Sequence, residues 1–331
     1  FLPDRPAHRE ALPRILPAMK ALYVRTRCGA ALTFNWAYGD VIARLHGTTA
    51  MSVARPTAVQ IRSVRDGFGP GEMLFRLYPE GDDRTLVALA INFDVSRASH
   101  PLLRWMSKNG PDFRHAWNLG FGIMTLRGVE EEAARTAGAP QRPSSGQAGS
   151  GPLKLLGPAH LAPLAPLLRR GRVEIMEADS GGRVAQAVVA ERVEAATDVV
   201  KGIVERPGDW SDFMRAIEVT DDRPIEGGRA FKMGFSFPAF SVRTDMEMQT
   251  GPDGCDLVSN AGQLKRSLIS VRDVADGGST LLSSSGRVRL RQAGRLMRRM
   301  IDDDPSFGHA LNAAVVMSLS RSFRQRAEGR R

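Results

Sequence analysis

The chain repeats itself, and that restricts its fold more than any other feature. The stretch Pro111-Asp-Phe113-Arg-His115-Ala116-Trp117-Asn118 matches Pro305-Ser-Phe307-Gly-His309-Ala310-Leu311-Asn312 with five identities in eight positions. Upstream, at the same spacing, Leu102, Arg104 and Met106 match Leu296, Arg298 and Met300. Thr85-Leu86 pairs with Thr280-Leu281, and the alternating set Leu32, Phe34, Trp36, Tyr38 pairs with Phe231, Met233, Phe235, Phe237. Asp4-Arg5-Pro6 resembles Glu205-Arg206-Pro207. A repeat on this scale is a duplicated folding unit, and 331 residues suffice for two units that each bury a core. The expected domains are 1–136 and 171–328, with 137–170 as linker and short helical lead-in. The linker proper, Ala137 to Pro152, is Gly-, Pro-, Ser- and Gln-rich and lacks the apolar residues to order itself. By this alignment the first copy starts inside its first helix, without an opening strand.

The second copy shows its elements most clearly. Arg183 to Val193 reads as a strand, Ala195 to Glu205 as a helix ended by Pro207-Gly208, and Asp209 to Ala216 as a second short helix. From Phe231 to Phe237 every odd position is large and apolar. From Phe240 to Met248 the apolar face is Phe240, Val242, Thr244, Met246 and Met248, opposed by Ser241, Arg243, Asp245 and Glu247. A period of two with one polar face predicts an antiparallel sheet wetted on one side. Further strands are expected at 256–260, 266–274 and 279–289. Asp304 suits a helix N-cap and Pro305 the first helical position. The helix that follows runs to about Arg326, with Phe307, Ala310, Leu311, Ala314, Val315 and Ser318 on one face. Leu161, Leu164, Leu167 and Leu168 fall roughly on one side of a short helix before the second copy.

This order (strand, two short helices, antiparallel meander, one long helix) resembles the START and Bet v 1-like superfamily of polyketide cyclases, coenzyme Q-binding and lipid-transfer proteins. The resemblance rests on the opening strand, the helix ending at Glu205-Arg206-Pro207-Gly208-Asp209-Trp210, the turn into Thr280 and the final helix. It implies an α+β protein of two tandem helix-grip domains. It also implies non-covalent binding or transport of a lipid-, quinone- or polyketide-like molecule between sheet and final helix, with a cyclase-like enzyme or membrane-surface adaptor as the alternatives. A curved sheet cannot lie flush on a straight helix, so the gap holds either large side chains or an apolar guest. The expected lining is Trp210, Phe231, Met233, Phe235, Phe237, Val242, Met246, Met248, Phe307, Leu311, Ala314, Val315 and Ser318 in the second copy. In the first it is Phe34, Trp36, Phe113, Trp117 and Phe121. Small Ala310, Ala314 and Ser318 mark the second domain as the main binder, while Trp117, Phe121 and Met124 fill the first.

Composition removes several other chemistries. Two cysteines, Cys28 and Cys255, make no disulfide framework or thiolate zinc site. The histidines lack metal-ligand spacing, and no G-x-S-x-G elbow is present. Gly67-Phe-Gly69-Pro-Gly71 lacks the Lys-Ser/Thr ending of a phosphate loop and reads as a turn. Asp302, Asp303 and Asp304 read as helix capping rather than a cation site. His115 and His309, each followed three residues later by an Asn, read as residues packing the first helical turn, with a polar anchor for a ligand as the other option. No cofactor or metal is expected. The net charge of +10 is dispersed over Arg169, Arg170 and Arg172, over Arg295, Arg298 and Arg299, and along the tail. Contact with an anionic membrane surface fits this charge, whereas no nucleic-acid recognition motif accompanies it. No apolar run reaches the roughly 18 to 20 residues that span a bilayer. The compartment, cytoplasmic or exported, is left open.

Overall fold

A computed structural model describes residue 15 and residues 19–28, 31–38, 44–54, 57–81, 84–110, 112–138, 152–178, 184–214, 217–237 and 240–330. The linker from 139 to 151 lies outside them. The chain divides into two compact units, Phe1–Ser144 with Arg299–Leu311, and Ser145–Arg298 with Asn312–Arg331.

The first unit is a six-stranded antiparallel meander paired in sequence order: β1 Met19–Cys28, β2 Ala31–Tyr38, β3 Leu45–Ala54, β4 Ala58–Asp66, β5 Gly71–Glu80 and β6 Arg84–Phe93. Two helices follow, α1 Pro101–Asn109 and α2 Phe113–Thr136. Alternation along β2 decides which side is the core: Leu32, Phe34, Trp36 and Tyr38 are all buried. They are joined there by Leu45 and Met51 of β3, Ile61 of β4, Met73 and Phe75 of β5 and Phe93 of β6.

The second unit opens with α3 Pro158–Leu168, whose Leu161 and Leu168 pack on Ala190 and Leu281. Leu164 is packed against the same cluster, but Leu167 is exposed, so only part of the expected leucine stripe meets the sheet. The sheet has eight strands: β7 Val173–Ala178, β8 Val184–Val193, β9 Ile217–Ile225, β10 Gly228–Phe237, β11 Phe240–Gly251, β12 Gly254–Gly262, β13 Leu268–Asp276 and β14 Ser279–Arg287. Their order is β7-β8-β14-β13-β12-β11-β10-β9. Between β8 and β9 lie α4 Thr197–Val204 and the single turn α5 Trp210–Phe213. Two helices end the chain, α6 Arg295–Asp303 and the long α7 Pro305–Ala327, of which Arg299–Leu311 groups with the first unit. Strands β9 to β14 thus repeat β1 to β6, and among the described residues the first sheet has no counterpart of β8. This is the tandem helix-grip architecture expected from the repeat. β7 and β9 were not foreseen, because β9 (IEVTDDRPI) carries Asp, Arg and Pro where strand pattern is weakest.

The repeated Asn does the same work in both units. Asn118 Oδ1 accepts the Phe93 N–H at 3.0 Å and its Nδ2 donates to the Phe93 carbonyl at 3.0 Å. Asn312 Oδ1 accepts the Val288 N–H at 2.6 Å. Each pins the end of the last strand, where ladder bonds stop, to the helix lying across the sheet. The paired histidines diverge: His309 is buried and His115 exposed.

Removing the clip leaves buried backbone groups without partners. Asn118→Ala is expected to cost about 2–3 kcal/mol, read as a lower urea midpoint at unchanged m-value. An unchanged midpoint would contradict this role.

Candidate functional site

In the first unit the sheet and α2 enclose a cavity of about 40 Å³ lined by Phe34, Trp36, Tyr38, Thr49, Ile61, Ser63, Phe68, Met73, Phe93 and Phe121. Its walls follow from local sequence. Residues 34, 36 and 38 share the inner face of β2, and Thr49 comes from the facing position of β3, opposite Phe34. The Trp36 indole N–H donates to Thr49 Oγ1 at 2.7 Å, so that both polar atoms are satisfied inside an apolar wall. The Trp36 ring lies over Gly47 and Gly67, where a Cβ would come within 2.8 and 2.6 Å of it.

Phe68 sits at the centre of this wall. The Gly67-Phe68-Gly69 turn joins β4 to β5 with φ of +77° and +95° at its glycines, a conformation that L side chains rarely adopt. That turn drives Phe68 inward, where its ring stacks on Trp36 at 5.1 Å and meets Tyr38, Phe93, Trp117 and Phe121 at 5.2, 5.8, 5.9 and 4.7 Å. The turn reading of this Gly-rich stretch holds. Its ring at the cavity was not foreseen, since nothing in a turn sequence indicates an inward side chain.

At the polar end, the Tyr38 hydroxyl donates to Asp304 Oδ1 at 2.8 Å and lies 3.2 Å from Ser306 Oγ. Asp304 caps α7 as its sequence position suggested, its Oδ1 also accepting the Ser306 N–H at 2.9 Å. The helix start comes so close to α2 that a Cβ on Gly120 would lie 2.7 Å from the Ala310 nitrogen. These contacts explain why Arg299–Leu311, assigned to the second copy by the repeat, groups with the first unit. Burial pushes the Asp304 carboxyl up to about 6 against the opposing pull of its Tyr38 and Ser306 hydrogen bonds. Burial, with the Asp304 charge behind it, holds the Tyr38 phenol well above its ordinary range.

Of the residues expected to line a site, the cavity brings together Phe34, Trp36 and Phe121. Trp117 packs on Phe68, and Phe113 packs against Trp117 and Phe307 at 6.0 and 6.5 Å. In the second unit, Phe231, Met233, Phe235, Val242, Met246 and Met248 are all buried on one face of β10 and β11. Trp210 packs between Phe231 and Phe323. The Phe237 side chain lies outside the described residues. Leu311 and Val315 are buried, whereas Ala314 and Ser318 are half-exposed. A neighbouring stripe of α7 meets the sheet. It runs from Asn312 through Val316, which faces Gly286, to Ser320 and Arg324, which bind Glu191 of β8. Glu191 is buried, its Oε2 2.7 Å from an Arg324 Nη1. Arg324 is its counter-ion. The second unit also carries a groove of about 430 Å³, of mixed polar and apolar lining, where Glu218, Lys232, Arg243 and Asp245 stand beside Met233, one of the residues expected to line a site.

Burial pushes the Cys255 thiol up to about 12, which leaves it an unreactive core residue. Among the described residues no three His, Cys, Asp or Glu side chains come together as a metal site, and no helix is long and apolar enough to cross a membrane.

No family model and no curated protein matches the chain. Solved structures similar to it include the di-domain ARO/CYC StfQ from the steffimycin biosynthetic pathway, at 10% identity over 98% of this chain and 92% of that one, TM-score 0.35. The di-domain ARO/CYC BexL from the BE-7585A pathway gives 11% identity over 97% and 91%, TM-score 0.33. A START superfamily protein from Mycobacterium smegmatis gives 14% identity over 44% of this chain and 97% of its own, TM-score 0.36. The class of protein, a tandem helix-grip chain, is defined by the strand order and helices described above.

The Asp304 carboxyl sets a pH dependence of stability. Its folded value of about 6 lies above the ordinary value near 4, so between those pH values the folded state holds the proton more tightly than the unfolded one. Its contribution therefore favours folding at low pH and is lost as pH rises through about 6, by roughly 3 kcal/mol at most. Asp304→Asn, which keeps the cap acceptor, is expected to flatten this slope in denaturation curves measured from pH 4 to 7.5. Superimposable slopes for the two proteins would refute it.

Proposed function

We propose that this protein binds a small apolar molecule non-covalently in the first unit, between the sheet and α2, and carries it rather than converts it. The observation that supports this is the small cavity walled by aromatic rings, with Phe68 as a plug-like side chain. At about 40 Å³ the closed cavity is too small for a drug-sized guest, for which pockets of roughly 300 Å³ or more are usual. A lipid-, quinone- or polyketide-like guest therefore requires a side chain to leave. Phe68 is the candidate, because it stands between two glycines and touches five rings. Carriage fits the cavity better than acid/base catalysis. Its one titratable wall group, Tyr38, is held protonated with its hydroxyl committed to Asp304. This reading sets the main binding site in the first unit, not in the second as the small helix residues had suggested, and it leaves most of the Phe and Met side chains of β10 and β11 to that unit's core.

Native mass spectrometry of the full chain followed by solvent extraction tests for a co-purified guest. Naphthalene titration, followed by tryptophan fluorescence, tests the site itself. Phe68→Ala should bind the probe about tenfold more tightly, or ~1.4 kcal/mol, because it adds apolar room. Ile61→Trp should abolish binding by filling the space. Phe68→Leu serves if the alanine variant, at a cost of about 3–5 kcal/mol, fails to fold. Equal affinity in all variants, or no binding in the wild type and either Phe68 variant, would rule out this site.

A further inference from the structure

Phe68 reaches the cavity on the Gly67-Phe68-Gly69 turn, and that turn is tied down by the segment between β6 and α1. The Asp94 N–H donates to the Pro70 carbonyl and the Ser99 N–H to the Gly67 carbonyl, both at 2.8 Å. Ser99 Oγ donates to the same Gly67 carbonyl at 3.2 Å. The two backbones press so closely that a Cβ on Gly69 would lie 2.1 Å from the Asp94 carbonyl oxygen. Asp94 to Ser99 thus forms a strap over the turn, wound through one 3-10 turn at Val95–Arg97. The carbonyls at its end, of Ala98 and Ser99, both accept from Arg104 Nη1 of α1, each at 2.9 Å. A guanidinium is always charged, so these bonds are charge-assisted and stronger than neutral ones.

The second unit fastens the corresponding corner without this arginine. Arg298, which matches Arg104 in the repeat, is exposed. The Ala293 carbonyl, equivalent to that of Ser99, accepts instead from Gln263 Nε2 of the β12–β13 turn at 3.4 Å. The buried residue of that turn is Leu264 rather than an aromatic. The arginine bridge therefore stands beside the turn that carries a ring.

We propose that Arg104 is the latch of the cavity: its bridge to Ala98 and Ser99 holds the strap on the turn, and the turn holds Phe68 in place until a guest enters. This rests on carriage in the first unit and names the residue that controls entry. Rings at 4.7 to 5.9 Å surround Phe68, so rotation of its side chain alone drives it into a neighbour. It leaves when the turn moves, and the glycines on either side, at φ of +77° and +95°, act as hinges. That motion breaks the bonds to Asp94 and Ser99. A latch of this kind acts on the free protein. It lowers the fraction of molecules open to the guest, so weakening it speeds entry and tightens the apparent affinity.

Stopped-flow tryptophan fluorescence with naphthalene on the full chain is the test. Arg104→Met, which keeps the aliphatic stem and removes the donors, should raise the association rate about tenfold and leave the dissociation rate unchanged. In a Phe68→Ala background the same substitution should change neither rate, because the latch then holds no plug. A purely structural role for Arg104 would disturb binding in both backgrounds. Ser99→Ala, which removes only the hydroxyl bond to Gly67, should raise the association rate about twofold and serves if Arg104→Met fails to fold. An association rate unmoved by these substitutions, or moved equally with and without Phe68, overturns the latch and leaves the cavity standing. No naphthalene binding in any variant, Phe68→Ala and Phe68→Leu included, overturns the carriage reading and the latch with it. Hydrogen exchange on the unsubstituted chain gives a reading that no variant can confound. Saturating naphthalene should speed exchange of the Asp94 and Ser99 amides while the Phe93 amide, held by Asn118, keeps its protection. Equal protection of Asp94 and Ser99 with and without naphthalene refutes the latch.

Discussion

Each unit depends on how a straight helix is fastened across a curved sheet. Ladder bonds satisfy the backbone only as far as the strands run, and where the last strand turns away its final amide has no partner in the sheet. Asn118 and Asn312 supply that partner from the helix side, at Phe93 and Val288. The bond fixes the helix along its own axis as well as against the sheet. With the helix so indexed, the residues one and two turns further on meet defined strand positions, Val316 at Gly286 and Ser320 at Glu191. A helix slipped by one residue would lose the bond and turn another face inward.

The two interiors use this frame differently. In the first unit, rings from β2, from the β4–β5 turn and from α2 converge on one another. Aromatic groups packed at 4.7 to 5.9 Å around Phe68 leave a small residual space because rigid planes do not fill a curved volume completely. In the second unit the helix positions equivalent to Trp117 and Phe121 carry the smaller Leu311 and Val315, while β10 keeps Phe231 and Phe235 beside Met233.

Buried charge adds specificity to both. The Asp304 carboxyl stays within the first unit's interior by capping α7 and accepting the Tyr38 hydroxyl. Glu191 stays within the second by pairing with Arg324 and Ser320. A buried pair of this kind stabilises little over an apolar replacement, but breaking one partner is costly. Such pairs therefore select one arrangement of helix on sheet among several that would bury similar apolar area.

The repeat, the period-two strands and the Asp304-Pro305 helix start were all written in the sequence, because duplication, alternation and capping are local patterns. They determined the number of units, the antiparallel meander and the buried faces of β2, β10 and β11. They also picked out Phe34, Trp36 and Phe121. What no local pattern could show was which contacts meet in space. Phe68 looked like part of a turn, and no local pattern paired Glu191 with Arg324, 133 positions away. Periodicity says that a helix has a face, but the partner that reads it is decided by long-range packing. The sequence thus set the elements and their buried sides, and only the tertiary structure decided which side chains meet around the cavity of the first unit, because that depends on the summed volumes of side chains brought together from distant strands.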